Sequence, residues 1–353
     1  MRLETLHLTD LRNIAQAELA VGAGMNWFYG ANGAGKTSVL EAIHLLARGY
    51  SFRTRQAARL IRDGSSALRV LATTAEPGHR LGVERDREGW RGRIDGRDGK
   101  RVSEFASCLP LVLVEPENHQ LIEGPPALRR SFLDWGLFHV EHDYLSVWRT
   151  YARALRQRNA GLRDGADTAT LQAIEQIMAP AAARVDALRA GLVKTLQQRI
   201  TALAASLGFA LEPVRLEYAG ADEPERHLEV WQDARAGDRE QGHTRHGPQR
   251  AHLSVRSGDR AAAHRLSRGQ MKLAALLLRL ALLGEMHDRG IGAMLLLDDP
   301  VSELDGDHLS RLLAWLADWR GQVWVTAVDQ PDVEKSADLQ LFHVEQGKIR
   351  PVV

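Results

Sequence analysis

The sequence contains a single cysteine and no long apolar run, and both features limit the classes of protein to which it can belong. Cys108 has no second cysteine with which to form a disulfide within the chain, a usage typical of a reducing cytosol. The longest apolar stretch, residues 273–283, is interrupted by Arg279 and is shorter than the roughly 20 residues of a membrane-spanning helix. The N-terminus also lacks the apolar core of a signal peptide. We therefore expect a cytoplasmic protein with no membrane partner.

An excess of charge of one sign is missing as well. The sequence has 46 Lys and Arg against 45 Asp and Glu, which gives a formal net charge of +1 and excludes a generic polycation. Any attraction to nucleic acid must therefore come from local groups of basic residues. One such group lies between Arg48 and Arg69, where six arginines stand against one acid, Asp63. These arginines face either phosphates or solvent.

The stretch Gly30-Ala31-Asn32-Gly33-Ala34-Gly35-Lys36-Thr37 fits the phosphate-binding P-loop pattern G-x-x-x-x-G-K-[ST] in full. Apolar residues precede it as in a buried strand, and apolar residues at helical spacing follow it. Glycines let backbone N–H groups surround an anion, and the following helix adds its dipole. We expect the whole stretch and Ser38 to bind the nucleotide. Lys36 would reach the β- and γ-phosphates and assist catalysis, and Thr37 would be a ligand of Mg²⁺.

A second candidate site follows four apolar residues, 294–297, which end in Asp298 and Asp299. A buried parallel strand would deliver both carboxylates to the sheet edge at which the P-loop lies. Asp298 is then expected to hold Mg²⁺ through water, and Asp299 to act as the general base for the attacking water.

The segment Leu-Ser-Arg-Gly-Gln at residues 266–270 precedes a long apolar helix that we predict to begin near Met271. Ser267 is suited to cap this helix, and a helix start is also a place where an anion can bind. The residues alone do not decide between a plain cap and a second phosphate site.

The hydrophobic pattern changes along the chain. Antiparallel strands are predicted over residues 68–73, 81–85 and 90–94, a helical region over 126–207, a loop over 237–250, and short strands over 253–255 and 263–266. The expected fold is an α/β P-loop ATPase head with a mixed sheet, formed by residues 1–125 and 241–353, with an inserted α-helical arm of residues 126–240.

Several segments together resemble a known family. Leu-Ser-Arg-Gly-Gln resembles the ABC-ATPase signature, and residues 298–305 resemble a Walker B strand running into a D-loop that contains Ser302 and Asp305. With the P-loop, these segments resemble the bacterial RecF family over essentially the whole chain. The other segments that carry the resemblance are Leu8–Ile14, Ser51–Arg53, Arg129–Trp135, Gln157–Asn159 and His246–Pro248. RecF proteins are similar to the heads of SMC and Rad50 proteins, with a short helical arm in place of the long coiled coil.

The resemblance implies an ATP-dependent DNA-binding protein of recombinational repair, replication-fork recovery and the SOS response. Its partners would be double-stranded, single-stranded and gapped or junction DNA, RecO and RecR, and, indirectly, RecA and single-strand-binding protein. ATP would join two chains into a homodimer, in which Ser267, Arg268, Gly269 and Gln270 of one chain reach the ATP of the other.

The resemblance also implies a weak, DNA-stimulated ATPase that works as a switch. Slow hydrolysis is favoured by Asp299, which stands where most ABC proteins have Glu. It is favoured as well by Ala327 and Val328, which stand where transporters usually place a switch histidine.

DNA contacts are expected to go mainly to phosphates. The candidate residues are Arg53, Arg55, Arg59, Arg62, Arg153 and Arg156. Two other functions remain open, the nucleotide-binding subunit of an ABC transporter and a small-molecule P-loop kinase. The helical arm argues against the transporter, and a kinase would leave residues 267–270 unexplained.

Overall fold

The computed structural model describes residues 2–76, 78–220, 226–331 and 338–352. The chain forms two compact units. The first comprises Met1–Asn118 and Leu282–Val353, and the second comprises His119–Ala281, so that the second unit is an insertion in the first. Among the described helices, none combines the length and the apolar character that crossing a membrane requires.

The strands and helices are numbered in chain order. The strands are β1 (Leu3–Leu11), β2 (Ile14–Ala20), β3 (Met25–Tyr29), β4 (Ala67–Thr74), β5 (Arg80–Asp86), β6 (Trp90–Ile94), β7 (Arg97–Gly99), β8 (Leu111–Val114), β9 (Val214–Ala219), β10 (His252–Ser257), β11 (Arg260–Ala261), β12 (Met294–Asp298), β13 (Val323–Ala327), β14 (Leu339–Glu345) and β15 (Lys348–Val352). The helices are α1 (Lys36–Arg48), α2 (Val102–Cys108), α3 (Gln120–Glu123), α4 (Pro126–Val140), α5 (Tyr144–Arg163), α6 (Thr168–Ser206), α7 (His227–Gln241), α8 (Ala262–Arg265), α9 (Arg268–Asp288), α10 (Pro300–Glu303) and α11 (Gly306–Ala317).

The first unit contains two six-stranded sheets. One is antiparallel, in the order β2-β1-β4-β5-β6-β7. The other has the order β15-β14-β3-β13-β12-β8, in which all neighbours are parallel except the terminal hairpin β14–β15. The mixed sheet that the sequence predicts is thus confirmed. Because the carboxyl ends of parallel strands meet at one edge, the residues that follow β3, β12 and β13 come together there.

Helix α1 is the central helix of the first unit. It packs against strands of both sheets, and every residue from Ser38 to Ala47 is buried. A helix that is buried all round belongs to the core of a protein rather than to its surface. The P-loop therefore leads directly into a helix of the core.

The second unit is built on the helix pair α5–α6 and a small sheet in the order β11-β10-β9. Four residues connect α5 to α6, so the two helices run antiparallel. Pro180 lies inside α6 and neither starts nor ends it. The core of this pair includes Tyr151, Met178 and Trp231, all of which are fully buried.

A network of buried charges joins three helices of the second unit. The Arg158 side chain, which is 0 % exposed, donates to Glu175 at 2.9 Å and to Asp238 at 2.7 Å. It also donates to the Thr244 hydroxyl at 2.7 Å and to the Trp231 carbonyl at 3.1 Å. Glu175 and Asp238 are themselves 0 % exposed, so water cannot stabilise these three charged groups and they must stabilise one another.

Two local predictions are wrong. Residues 263–265 form helix α8 with Ala262 rather than a strand, and Leu266 ends it, because the run of alanines favours a helix and the N–H of Leu266 donates to the carbonyl of Ala262 at 2.9 Å. The predicted loop over residues 237–250 is helical as far as Gln241, since Asp238 turns inward to pair with Arg158.

The second compact unit is larger than the predicted arm of residues 126–240. It also takes in residues 241–281, because β10 pairs with β9 and helix α4 packs against β10. Residues 119–125 belong to it as well.

Candidate nucleotide site

The P-loop backbone needs glycine at three positions. Gly30, Gly33 and Gly35 have φ angles of 148°, 78° and 115°, in the region that side chains disfavour. A Cβ on Gly30 would also overlap the carbonyl of Val344, and one on Gly35 would lie 2.8 Å from Oδ1 of Asn13. Two of the three glycines are therefore required by close packing as well as by backbone conformation.

The loop is held by two neighbouring turns. Nδ2 of Asn13, in the turn between β1 and β2, donates to the carbonyls of Gly33 at 3.1 Å and Ala34 at 2.9 Å. The N–H of Gly347, in the β14–β15 turn, donates to the same Ala34 carbonyl at 2.8 Å. Ala31 and Asn32 are exposed at the tip of the loop, and Ser38 is buried in the first turn of α1. The expected strand–loop–helix context is thus confirmed.

Lys36 lies across the loop that precedes it. Its Nζ donates to the carbonyls of Gly30 at 2.7 Å and Ala31 at 3.0 Å. Burial lowers the pKa of Lys36, and the charges of Asp299 and Asp298 partly offset that effect. The ammonium group is therefore close to both carboxylates as well as to the loop.

Asp298 joins the P-loop helix to two strands. Its Oδ1 accepts from the hydroxyl of Thr37 at 2.8 Å and from the hydroxyl of Thr326 at 2.7 Å. Burial raises the pKa of Asp298, whereas these two hydrogen bonds and the charge of Arg53 lower it. A hydroxyl and a carboxylate side by side are the hard oxygen ligands that Mg²⁺ takes. Thr37 and Asp298 therefore fit the metal role that the sequence predicts for them.

Asp299 has an unusual backbone conformation. Its φ of 50° and ψ of 54° place a residue other than glycine in the left-handed region. Its N–H donates to both oxygen atoms of Thr326, at 2.9 Å to the hydroxyl and 3.1 Å to the carbonyl. Such strained residues are concentrated at functional sites, where the surrounding structure holds them in place. Thr326 thus positions both aspartates.

The two D-loop residues make local hydrogen bonds, Ser302 within α10 and Asp305 as the cap of α11. The hydroxyl and the N–H of Ser302 both donate to the carbonyl of Asp299, at 3.0 Å and 3.1 Å. The side chain of Asp305 accepts from the N–H of His308 at 2.9 Å and begins α11. The D-loop is therefore tied directly to the candidate general base.

Sequence reasoning missed a buried cluster behind the P-loop. Glu41, on α1, is 1 % exposed and accepts from Arg12 at 2.7 Å and 3.1 Å and from the Ser51 hydroxyl at 2.5 Å. Oγ of Ser51 in turn accepts from the N–H of Arg53 at 3.0 Å. The cluster fixes the loop that carries Arg53. A charged residue at an inward position of an apolar helix is the sequence signal that could have identified Glu41.

The candidate DNA-binding arginines of the first unit have different neighbours. Arg53 lies near enough to Asp298 for its charge to lower the pKa of that carboxyl group. Arg55 lies over the ring of Tyr50 at 5.0 Å. Arg59 and Arg62 line a pocket of about 740 Å³ together with Arg12 and Asn13, beside the P-loop.

The other two candidate arginines are in the second unit. Arg153 and Arg156 are exposed on one face of α5.

The signature segment is also in the second unit, where it begins α9 at Arg268, three residues earlier than predicted. The N–H of Ser267 donates to Oε1 of Gln270 at 2.9 Å, and Oγ of Ser267 accepts from the N–H of Gln270 at 3.3 Å. This reciprocal pair is a capping box, which confirms the predicted cap. Ser267, Arg268 and Gly269 are exposed and therefore accessible to a second chain.

The carboxyl edge of the parallel sheet carries the glycine loop, Lys36 and the Thr37–Asp298 pair. Together these features define a P-loop nucleotide-binding protein. The profile of the family described as the RecF/RecN/SMC N terminal domain matches residues 2–350. A protein of Chromohalobacter salexigens named DNA replication and repair protein RecF is 40% identical over 364 residues, which cover 99% of each chain. The chain therefore belongs to the RecF family.

Two solved structures share the fold. One, described as the recombination mediator protein RecF with ATP in the RecFOR pathway, matches with a TM-score of 0.89 at 23% identity and covers 100% of this chain and 98% of its own. The other, an Smc head bound to the C-winged helix domain of ScpA, matches with a TM-score of 0.60 at 14% identity and covers 100% and 97%. The head fold and its helical insertion are thus common to RecF and, more distantly, to Smc.

Proposed function

We propose that the protein is an ATP-dependent DNA-binding switch of recombinational repair and replication-fork recovery. It binds single-stranded and gapped or junction DNA and, with RecO and RecR, helps load RecA. The observation that carries the ATP part is the Thr37–Asp298 pair beside a complete P-loop. The DNA part is supported by relatives named DNA replication and repair protein RecF at 40% identity, and by the RecFOR pathway named for the solved relative.

ATP would occupy the P-loop with its phosphates on the backbone N–H groups between Gly30 and Ser38. Nζ of Lys36 would give up its hydrogen bonds to the carbonyls of Gly30 and Ala31 and donate instead to oxygens of the β- and γ-phosphates. The flexible side chain makes this a short movement. Mg²⁺, held by Thr37 and Asp298, would supply neutralisation of the phosphate charge. Asp299, held by Thr326, would take the proton of the attacking water.

The exposed Ser267 segment would complete the site of a second chain, so that ATP joins two chains in a homodimer. The specific rate of ATP turnover should then rise with protein concentration, and it should level off only above the dissociation constant of the dimer. A small-molecule kinase, or any enzyme with a complete site in one chain, would give a constant specific rate. The measurement is steady-state phosphate release over about a hundredfold range of protein concentration, extending well below the concentration at which the rate levels off.

A transporter subunit is the alternative function. It would require an integral membrane partner, and co-purification of such a partner with the full-length chain would favour it over the repair function.

DNA binding by α5 can be tested by charge reversal. Among the described residues, Arg153 and Arg156 form no ion pair, so both charges are available to phosphates. Arg153→Glu with Arg156→Glu should weaken duplex binding and reduce the slope of log K against log salt by about 2, since each phosphate contact contributes about 1. The assay is fluorescence anisotropy at several salt concentrations.

The matched control reverses two arginines elsewhere in the second unit. Arg215 and Arg256, on β9 and β10, lie 3.2 Å and 3.9 Å from Glu217, so that their charges are already engaged. Arg215→Glu with Arg256→Glu should leave the salt slope close to that of the native chain. Equal slopes for the α5 pair and the native chain would remove α5 from the DNA surface.

A further inference from the structure

The second unit contains a group of positively charged side chains that belongs neither to the nucleotide site nor to the signature segment. It comprises Arg129 and Arg130 on α4, and Arg250 and His252 at the start of β10. Nη1 of Arg130 donates to the carbonyl of Ala251, between Arg250 and His252, at 3.0 Å. This hydrogen bond and the packing of α4 on β10 bring the four side chains to one place.

The guanidinium groups of this cluster lack carboxylate partners. Among the described residues, no ion pair joins Arg129, Arg130 or Arg250 to an acid. Asp134, one turn along α4, is already engaged by Arg189, whose nitrogens lie 2.7 Å and 2.8 Å from its Oδ1. Among the described residues, these three positive charges are therefore offset only in part, with Asp134 acting on Arg130, and such an excess costs free energy where charges are close and partly buried.

Neighbouring positive charges contribute to lowering the pKa values of Arg129, Arg130 and His252. Burial lowers the pKa of Arg130, and the charges of Arg189 and Arg250 lower it further, with Asp134 opposing them. Burial and Arg130 lower the pKa of Arg129. Burial, Arg129 and Arg130 lower the pKa of His252. The charge of Arg130 thus acts on both Arg129 and His252, and the charge of Arg250 acts on Arg130, so an anion bound among these groups would relieve the repulsion.

Arg129 supplies a buried donor at the base of the cluster. Its side chain is 6 % exposed, and Nη1 donates to the carbonyls of Leu121, Ile122 and Gly124 at 2.9–3.3 Å. Its Nε is buried without a hydrogen-bond partner. Buried polar atoms without a partner are rare in native structures, and none of the described residues supplies one to this Nε.

The loop that carries Arg250 is fixed in place. The carbonyl of Pro248 accepts from Arg189 at 2.7 Å, and the carbonyl of His246 accepts from the indole of Trp231 at 3.0 Å. The Gln249 side chain accepts from the hydroxyl of Tyr151. Because three buried side chains anchor this loop, the backbone that leads to Arg250 is already ordered. A ligand that binds Arg250 therefore loses less affinity to the entropic cost of ordering the loop.

We propose that Arg130, Arg250 and His252, with Arg129 behind them, form a binding site for a phosphate group in the second unit. Guanidinium groups match phosphate oxygens in geometry, and a doubly charged phosphate or two adjacent phosphodiesters balance the excess charge of the cluster. The phosphate belongs either to a nucleic-acid backbone or to a free phosphate or phosphate ester. This goes beyond the P-loop site and does not depend on ATP binding there.

The test compares the native full-length chain with Arg250→Ala, Arg130→Ala and a control, Arg256→Ala, which removes an arginine from the same strand β10 outside the cluster. Thermal unfolding is measured in inorganic phosphate and in chloride at equal ionic strength. Phosphate should raise the melting temperature of the native and Arg256→Ala chains, and at least half of this shift should be lost in the other two. Any phosphate bound at the P-loop contributes equally to all four chains.

The same four chains are then titrated with labelled single-stranded and duplex DNA. If the backbone of DNA occupies the cluster, Arg250→Ala and Arg130→Ala should bind more weakly than Arg256→Ala, and each should lose about 1 from the salt slope. Unchanged DNA binding with a lost phosphate shift identifies a free phosphate or phosphate ester as the ligand. Equal phosphate responses and equal DNA affinities in all four chains would overturn the proposal. The phosphate arm uses neither ATP nor DNA, so its result is independent of the proposed function.

Discussion

Replacing Lys36 with Met should lower the affinity of the protein for ATP by about two orders of magnitude. A charged donor contributes about 1.5–3 kcal/mol through each hydrogen bond, and Nζ of Lys36 is placed to make two with the β- and γ-phosphates. A loss of about 3 kcal/mol corresponds to roughly a hundredfold change in the dissociation constant. Methionine keeps the length and the apolar stem of the side chain, so the change isolates the ammonium group. The measurement is calorimetric titration with ATP and Mg²⁺.

The control for this substitution is Lys194→Met, which removes an exposed lysine from α6. It should bind ATP as the native chain does. Lys36→Met should also fold normally, because the pKa of Lys36 is lowered by burial and the folded protein therefore holds this charge at a cost. A Lys36→Met protein with native affinity for ATP would contradict the assignment of the P-loop as the nucleotide site.

Replacing Arg158 with Leu should destabilise the second unit by about 3–5 kcal/mol, because removing one member of a buried ionic group leaves its partners with only part of their compensation. Glu175 would keep Arg235, which lies on its carboxylate, and Asp238 would keep Arg245 at 2.9 Å. Both carboxylates would lose the donor that is buried with them. The measurement is urea unfolding followed by tryptophan fluorescence, since Trp231 is fully buried in the same core.

The matched control is Arg153→Leu, five positions earlier on the same helix but exposed. It should change the free energy of unfolding by no more than about 0.5 kcal/mol, as is usual for surface positions. If Arg158→Leu and Arg153→Leu lost similar stability, the buried network would not be what holds α5, α6 and α7 together.

The local parts of this fold could be predicted from the sequence, and the non-local parts could not. The P-loop, the acidic strand end and the cap at Ser267 are short patterns whose residues are neighbours in the chain. Thr326, by contrast, is 28 positions from Asp298 in the chain. The two residues are neighbours only because β12 and β13 pair in this register. A single sequence contains no signal for that pairing.

Arg158 shows the same limit for burial. In the sequence it is one of several arginines among the polar positions of α5, and although it lies in the family-like segment Gln157–Asn159, nothing there shows that it is buried while Arg153 and Arg156 are exposed. The structure buries it because Asp238, 80 positions later, lies opposite. For the same reason the sequence did not show that the charge of Arg53, unlike that of the other candidate arginines, acts on Asp298. Contacts across long sequence distances decide which charges are solvated and which belong to a site.

The most direct test of the account is the mass of the protein in solution with ATP and Mg²⁺, measured for the native chain, Lys36→Met, Ser267→Arg and Asp299→Asn. The account predicts that the native chain dimerises, that Lys36→Met and Ser267→Arg stay monomeric, and that Asp299→Asn remains a dimer because it binds ATP and does not turn it over. A native chain that stays monomeric at saturating ATP, or a Ser267→Arg chain that dimerises normally, would reduce the signature to a helix cap and contradict the switch.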